Sequence, residues 1–132
     1  MKILVLGIKG MLGSMVYSYL RGQSGITVAG TYRDQKEGFY FANDPLVFEF
    51  SASEEVENQM KQIMSHFSAD YIINCIGVIK PYCMDQDMKG VKNAILVNAL
   101  FPHLLGSVIK EIAPDTRILQ IATDCVYSGK KG

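Results

Sequence analysis

Ile3-Leu4-Val5-Leu6-Gly7-Ile8-Lys9-Gly10-Met11-Leu12-Gly13 stands almost at the start of the chain, and its reading decides the fold. Four consecutive apolar residues ending in glycine suit a strand buried on both faces of a parallel sheet. Behind the glycines, Leu12, Met15, Val16, Tyr19 and Leu20 recur at helical spacing over Met11 to Leu20. Gly22 and Gly25 close that segment. A strand running through a glycine turn into a helix is the opening of a βαβ unit.

The rest of the chain repeats the alternation. Ile26 to Thr31 is rich in β-branched residues and reads as a second strand, and Leu46 to Phe50 reads as a third. Between them, Arg33 to Pro45 is polar and turn-like. Ser53 followed by Glu54 and Glu55 predicts a helix start, and Val56, Met60, Ile63, Met64 and Phe67 form its apolar stripe. Tyr71 to Ile76 is a fourth strand ending at Gly77, and residues 80 to 90 read as loop. Val91 to Ala113 has a helical pattern with Pro102 inside it, which predicts a kink or break there. Arg117 to Ala122 is a fifth strand, and Ser128 to Gly132 is a polar, turn-like tail. The expected fold is α/β, a Rossmann-like doubly wound parallel sheet with strands in order 3-2-1-4-5. Residues 1–132 are read as one nucleotide-binding domain, which leaves later strands and a substrate-binding region out of this sequence.

Composition narrows the function. The 132 residues suffice for one core; 48% are apolar and 20% charged. Thirteen basic residues balance thirteen acidic ones, so the concentrated basic field that nucleic acid or a membrane surface demands is missing. No run of apolar residues approaches the roughly 20 of a membrane span, and the N-terminus lacks a leader's cleavage site. A cytoplasmic location is the expectation. Cys75, Cys83 and Cys125 read as reduced thiols, and neither His66 nor His103 has metal-ligand spacing to them.

The glycine loop carries the chemistry. Gly7 permits a tight turn, Gly10 lets backbone approach a pyrophosphate, and Gly13 lets helix and strand pack closely. The helix N-terminus then offers unpaired N–H groups and a positive dipole end to phosphate. The spacing is G-x-x-G-x-x-G, and no Gly-Lys-Ser/Thr follows, which excludes a P-loop. NAD enzymes usually place an acid at the tip of the second strand, for the ribose 2′-OH. Here that tip reads Gly30-Thr31-Tyr32-Arg33. Arg33 suits a 2′-phosphate and Thr31 a hydrogen bond to it, so NADP(H) is favoured, with NAD(H) the alternative and the neighbouring Asp34 an argument against.

Three further stretches follow in order: Ile72-Ile73-Asn74-Cys75-Ile76-Gly77-Val78-Ile79-Lys80, Val97-Asn98-Ala99-Leu100-Phe101-Pro102-His103-Leu104-Leu105, and Ile121-Ala122-Thr123-Asp124-Cys125-Val126-Tyr127-Ser128-Gly129. With the glycine loop, they resemble the extended short-chain dehydrogenase/reductases, specifically the dTDP-4-dehydrorhamnose reductase group of sugar-nucleotide reductases. The resemblance spans the whole chain. It implies that Gly7, Gly10 and Gly13 hold the pyrophosphate, with Met11 and Leu12 giving backbone N–H groups. Tyr32 would sit beside Thr31 and Arg33 on the adenosine side, and Glu49 and Phe50 where relatives contact adenine. Cys75, Ile76 and Gly77 would line the nicotinamide-side ribose. Asn98 would steady the active-site helix and a proton-relay water, and Thr123 would orient the substrate carbonyl as the catalytic hydroxyl in this stretch.

The resemblance implies hydride transfer to a 4-keto nucleotide sugar, with a Tyr-x-x-x-Lys pair supplying the proton. Tyr127 with Lys131 and Tyr32 with Lys36 match that spacing, but the first follows a strand through Ser128-Gly129 and the second lies in an adenosine-side loop. The pair is therefore expected beyond Gly132, and the stretch in hand is expected to be inactive alone, marginally stable or self-associating, with a homodimer in view. Two other readings stand beside the reductase: a non-catalytic dinucleotide-binding regulatory module, and an NAD-dependent epimerase or dehydratase of nucleotide sugars.

Overall fold

A computed structural model describes residues 1–34, 44–80, 82 and 84–122. Five strands form one parallel sheet: β1 (Lys2–Leu6), β2 (Thr27–Tyr32), β3 (Val47–Glu49), β4 (Tyr71–Asn74) and β5 (Arg117–Gln120). Their order is β3-β2-β1-β4-β5, as the alternation predicts. The central register pairs Leu4 with Ala29 on one side and with Ile72 on the other. Leu4, Val5 and Leu6 are fully buried, as befits a strand covered on both faces.

Helix α1 (Met11–Arg21) covers one face, where Ile3, Val5, Ile8, Tyr17 and Val28 form a cluster. Helix α2 (Val56–His66) and the helical stretch Met88–Ile112 cover the other, against Leu4, Leu6, Ala29, Phe50 and Ile72. That stretch comprises α3 (Met88–Ile95), a π-turn (Leu96–Leu100) and α4 (Phe101–Ile112). By length and composition it is apolar enough to cross a membrane. Here it packs Phe101, Leu105, Val108 and Ile109 into the core, as a core helix of a globular domain does.

Several boundaries differ from the sequence reading, each for a local reason. Gly22 ends α1 in a right-handed conformation, and Gly25 takes the left-handed one at φ +76°. The second helix begins at Val56, because the Ser53 hydroxyl accepts from the Glu55 N–H (3.3 Å) and from Gln59 Nε2 (3.2 Å) and so makes a turn of its own. The long helix begins at Met88, where the Asp87 carboxylate accepts from the Lys89 N–H at 3.0 Å.

The largest difference is at Pro102, which breaks nothing. The Phe101 N–H reaches back five residues to the Leu96 carbonyl, so the ladder widens just before the proline, which occupies the first turn of the reset helix. β4 ends at Asn74, two residues short of the expected Ile76. There the buried side-chain carbonyl of Asn74 accepts from the Ile76 N–H (3.1 Å), while its Nδ2 donates to Gln120 Oε1 (2.8 Å) at the end of β5. The regular strand ends there, with the Cys75 N–H making one last bond to the Leu6 carbonyl at 3.2 Å.

Candidate functional site

The carboxyl ends of β1 and β4 part company with their helices on opposite faces, which opens a crevice at the switch point. A cleft of about 330 Å³ lies there. Its lining comes from the glycine loop (Gly7, Lys9, Gly10), the end of β2 (Tyr32, Arg33), the end of β3 (Phe50, Ser51, Ala52), the end of β4 (Cys75, Ile76, Gly77, Val78) and α3 with the π-turn (Asn93, Val97).

The loop is held from the neighbouring strand. Gly7 turns at φ +82°, its N–H donates to the Thr31 hydroxyl (3.0 Å), and the Ile8 N–H donates to the Thr31 carbonyl (2.9 Å). The Gly10 N–H then donates back to the Gly7 carbonyl at 3.0 Å. Gly13 is required by packing: a Cβ there would lie 2.1 Å from the Gly7 carbonyl oxygen. Gly10 is different. A Cβ there would meet only that oxygen, at 3.4 Å, so the space it leaves open belongs to the cleft. Gly10 caps α1 without a side-chain hydrogen bond, and no acid stands in the first turn. Among the described residues, the opening N–H groups of α1 thus have neither intrahelical acceptors nor a capping carboxylate, which suits a diphosphate.

Two side-chain amides fix the walls. Gln59 of α2 accepts from the Ser51 N–H (2.8 Å) and donates to the Ser51 carbonyl (3.1 Å). Asn98, presented by the π-turn, accepts from the Val78 N–H (2.8 Å) and donates to the Val78 carbonyl (2.7 Å). Each grips one residue just past a strand end, where the sheet ladder has run out. Phe50 forms the buried floor, its ring tilted at 54° against Phe101 with centroids 5.8 Å apart. Cys75 is half-buried, and burial pushes its thiol above the ordinary value. On the far side of β2, Asp44 receives the Tyr17 hydroxyl (3.4 Å) and Arg21 (3.5 Å) and tethers the approach to β3.

Of the residues expected at the site, Gly7, Gly10, Tyr32, Arg33, Phe50, Cys75, Ile76 and Gly77 line this cleft. Met11 and Leu12 are exposed at the helix start with side chains outside it, and Gly13 lies behind the loop. Thr31 is fully buried; its hydroxyl is turned inward on Gly7 instead of outward at the strand tip, because the loop needs an acceptor there. Glu49 lines a separate groove with Phe48, Gln59, Gln62, Ile63 and His66, and is not among the residues lining the cleft. Asn98 acts on Val78 rather than on open space. Thr123 lies outside the described residues, as do both ends of the Tyr127/Lys131 pair and Lys36. Reasoning from sequence missed Lys9, Ser51, Ala52, Val78, Asn93 and Val97 at the cleft, and Gln59 and Asn74 behind it. Lys9 was legible from its place inside the glycine loop. Asn93 and Val97 were legible as an i, i+4 pair one step from Asn98.

A five-strand parallel sheet in this order, with a glycine-edged crevice at its switch point, defines a Rossmann-like domain. The model of the NAD dependent epimerase/dehydratase family matches residues 3–132, and the chain belongs to that family. Comparison with curated proteins found no match. Among solved structures, a hypothetical dTDP-4-dehydrorhamnose reductase from Sulfolobus tokodaii superposes with a TM-score of 0.71 at 21% identity, covering 100% of this chain and 42% of that one. A UDP-glucuronic acid 4-epimerase from Bacillus cereus, in complex with NAD and a fluorinated UDP-glucuronic acid, gives 0.72 at 20% identity, covering 100% and 43%. A short-chain dehydrogenase/reductase from Burkholderia multivorans with bound NADP gives 0.72 at 14% identity, covering 98% and 62%. The chain thus spans between 42% and 62% of the length of these three, and at such identities the likeness is one of fold.

Proposed function

We propose that this chain is the dinucleotide-binding part of an NADP(H)-dependent reductase that delivers hydride to a 4-keto nucleotide sugar, similar to dTDP-4-dehydrorhamnose reductases. The observation that carries the reading is the uncapped start of α1 opening onto a cleft that Gly10 keeps clear. Diphosphate is the ligand such a site accepts most readily. The charge of the lining supports NADP(H) over NAD(H). Lys9 and Arg33 both line the cleft, and among its described lining residues there is no carboxylate to receive a ribose 2′-OH. When bound, the cofactor supplies the hydride that reduces the sugar carbonyl. The chain's own part is to seat the phosphates on Gly7, Gly10 and the N–H groups of Met11, Leu12 and Gly13. Arg33 would hold the 2′-phosphate, Tyr32 and Phe50 the adenosine, and Cys75, Ile76 and Gly77 the second ribose. Asn98 holds Val78, and Thr123 orients the carbonyl.

Calorimetric titration with NADPH and NADH tests this. NADPH binds about tenfold tighter, the worth of one charge-assisted pair. Arg33→Ala weakens NADPH and spares NADH. Equal affinities, or a preference for NADH, remove the role given to Arg33. They favour instead an NAD-dependent epimerase or dehydratase, which the matched family's description supports.

A further inference from the structure

We infer that Asn93 reads the hydrogen-bonding edge of the adenine seated in this cleft; the inference rests on the dinucleotide reading above. Beside Gly7 and Gly10, the lining of the cleft includes the apolar side chains of Phe50, Ala52, Val78 and Val97. An apolar lining of this kind accommodates the faces of an aromatic base, and leaves its edge to be met by polar groups.

Part of the nearby backbone is already engaged. The N–H of Ser51 is spent on Gln59 (2.8 Å), that of Cys75 on the Leu6 carbonyl (3.2 Å), that of Ile76 on the Asn74 side chain (3.1 Å), and that of Val78 on Asn98 (2.8 Å). The N–H groups of Ala52 and Gly77 and the hydroxyls of Ser51 and Tyr32 also border the cleft, but none of them sets a donor beside an acceptor in one plane as a side-chain amide does. Lys9 and Arg33 are donors only and suit phosphate. On its N6/N7 edge adenine presents an amino donor beside a ring-nitrogen acceptor, which a side-chain amide matches with two parallel hydrogen bonds, whereas hypoxanthine presents two acceptors there. Asn93 is the one side-chain amide among the described lining residues. It stands one helical turn before Val97, it is exposed, and its side chain makes no hydrogen bond to any described residue. The contrast with Asn98 is informative. Both sit on the same helical stretch, but Asn98 has its amide fully occupied by Val78.

The test uses NADPH and NADH, each beside its hypoxanthine counterpart, in which the 6-amino group is replaced by an oxo group. The wild-type protein prefers whichever adenine dinucleotide it binds over the matching hypoxanthine compound by about tenfold. Asn93→Leu brings that ratio close to one by weakening the adenine form, and leaves the melting temperature unchanged because the side chain bonds none of the described residues. Asn93→Asp keeps an acceptor for the amino group and loses the donor, so its ratio falls between the two. A ratio that persists in Asn93→Leu, or a wild-type protein that binds adenine and hypoxanthine forms alike, overturns the role of Asn93 while leaving the dinucleotide reading intact. A wild-type protein that binds none of the four overturns both.

Discussion

Two glycines three residues apart answer to different masters, and substituting each by alanine separates folding from binding. At Gly13 the added carbon would lie 2.1 Å from the Gly7 carbonyl oxygen and 2.8 Å from its carbon. Both are backbone atoms that cannot swing aside, so the strand and helix must move apart by about 1 Å, at the upper end of the roughly 1–3 kcal/mol that overpacking costs. Alanine returns about 1 kcal/mol of helix propensity, leaving a net loss of about 2 kcal/mol. For a domain of this size that lowers the melting temperature by about 6–8 °C. At Gly10 the nearest atom to the new carbon is 3.4 Å away and φ is −70°, which alanine adopts freely. Gly10→Ala therefore melts within about 2 °C of wild type, since alanine's gain through the unfolded chain offsets its poorer fit at a helix start. Its methyl group, however, occupies the approach to the helix's opening N–H groups, and affinity for NADPH falls about tenfold or more. Thermal unfolding followed by circular dichroism, paired with calorimetric titration, reads both quantities. A Gly13→Ala protein that melts with wild type would show that the strand and helix are not in close contact there. A Gly10→Ala protein that binds NADPH unimpaired would show that the phosphates sit elsewhere.

Gln59→Leu strands the Ser51 N–H at the foot of the cleft and costs about 1–3 kcal/mol, seen as a lower denaturant midpoint; an unchanged midpoint would show that this grip contributes nothing. Asn98→Leu frees Val78, so it weakens dinucleotide binding more than it lowers stability, about 1 kcal/mol in the latter; the reverse ranking would mark Asn98 as a packing residue only. Burial raises the Cys75 thiol, and burial with the Asp44 carboxylate raises the Tyr17 phenol, so both hold their protons more tightly folded than unfolded. Their contribution is whole below the ordinary values of 9.0 and 10.0 and is lost as pH climbs through the raised ones. The melting temperature accordingly declines above about pH 9, and Cys75→Ala combined with Tyr17→Phe flattens the decline; a wild-type profile level to about pH 11 contradicts it.

The sheet was legible because its signals are redundant. Each strand is short, apolar and followed by glycine or a turn, and the right-handed crossover rule leaves few orders for five such strands. The glycine loop was legible for the same reason, since Gly7, Gly10 and Gly13 are separate demands on one turn. What stayed hidden depends on partners distant in sequence. Nothing near Thr31 reveals that its hydroxyl is claimed by Gly7, and nothing near Gln59 reveals its grip on Ser51. Pro102 misled because the rule against proline in helices concerns the regular ladder, and the ladder here is already widened at the preceding turn. Glu49 and Phe50 share a strand end, but only Phe50 lines the cleft.

That widened turn has a consequence for how such a chain changes over descent. Along a regular helix, gaining or losing one residue swings every later side chain by about 100° about the axis, and the stripe from Phe101 to Ile109 would leave the core. Between Leu96 and Leu100 the coil already carries a spare residue, so its tally can drop by one while both flanks keep their seats. The stretch works like slack in a rope. It is the place on this helix where the arm that reaches for Val78 can be lengthened, shortened or exchanged without unseating the hydrophobic interior.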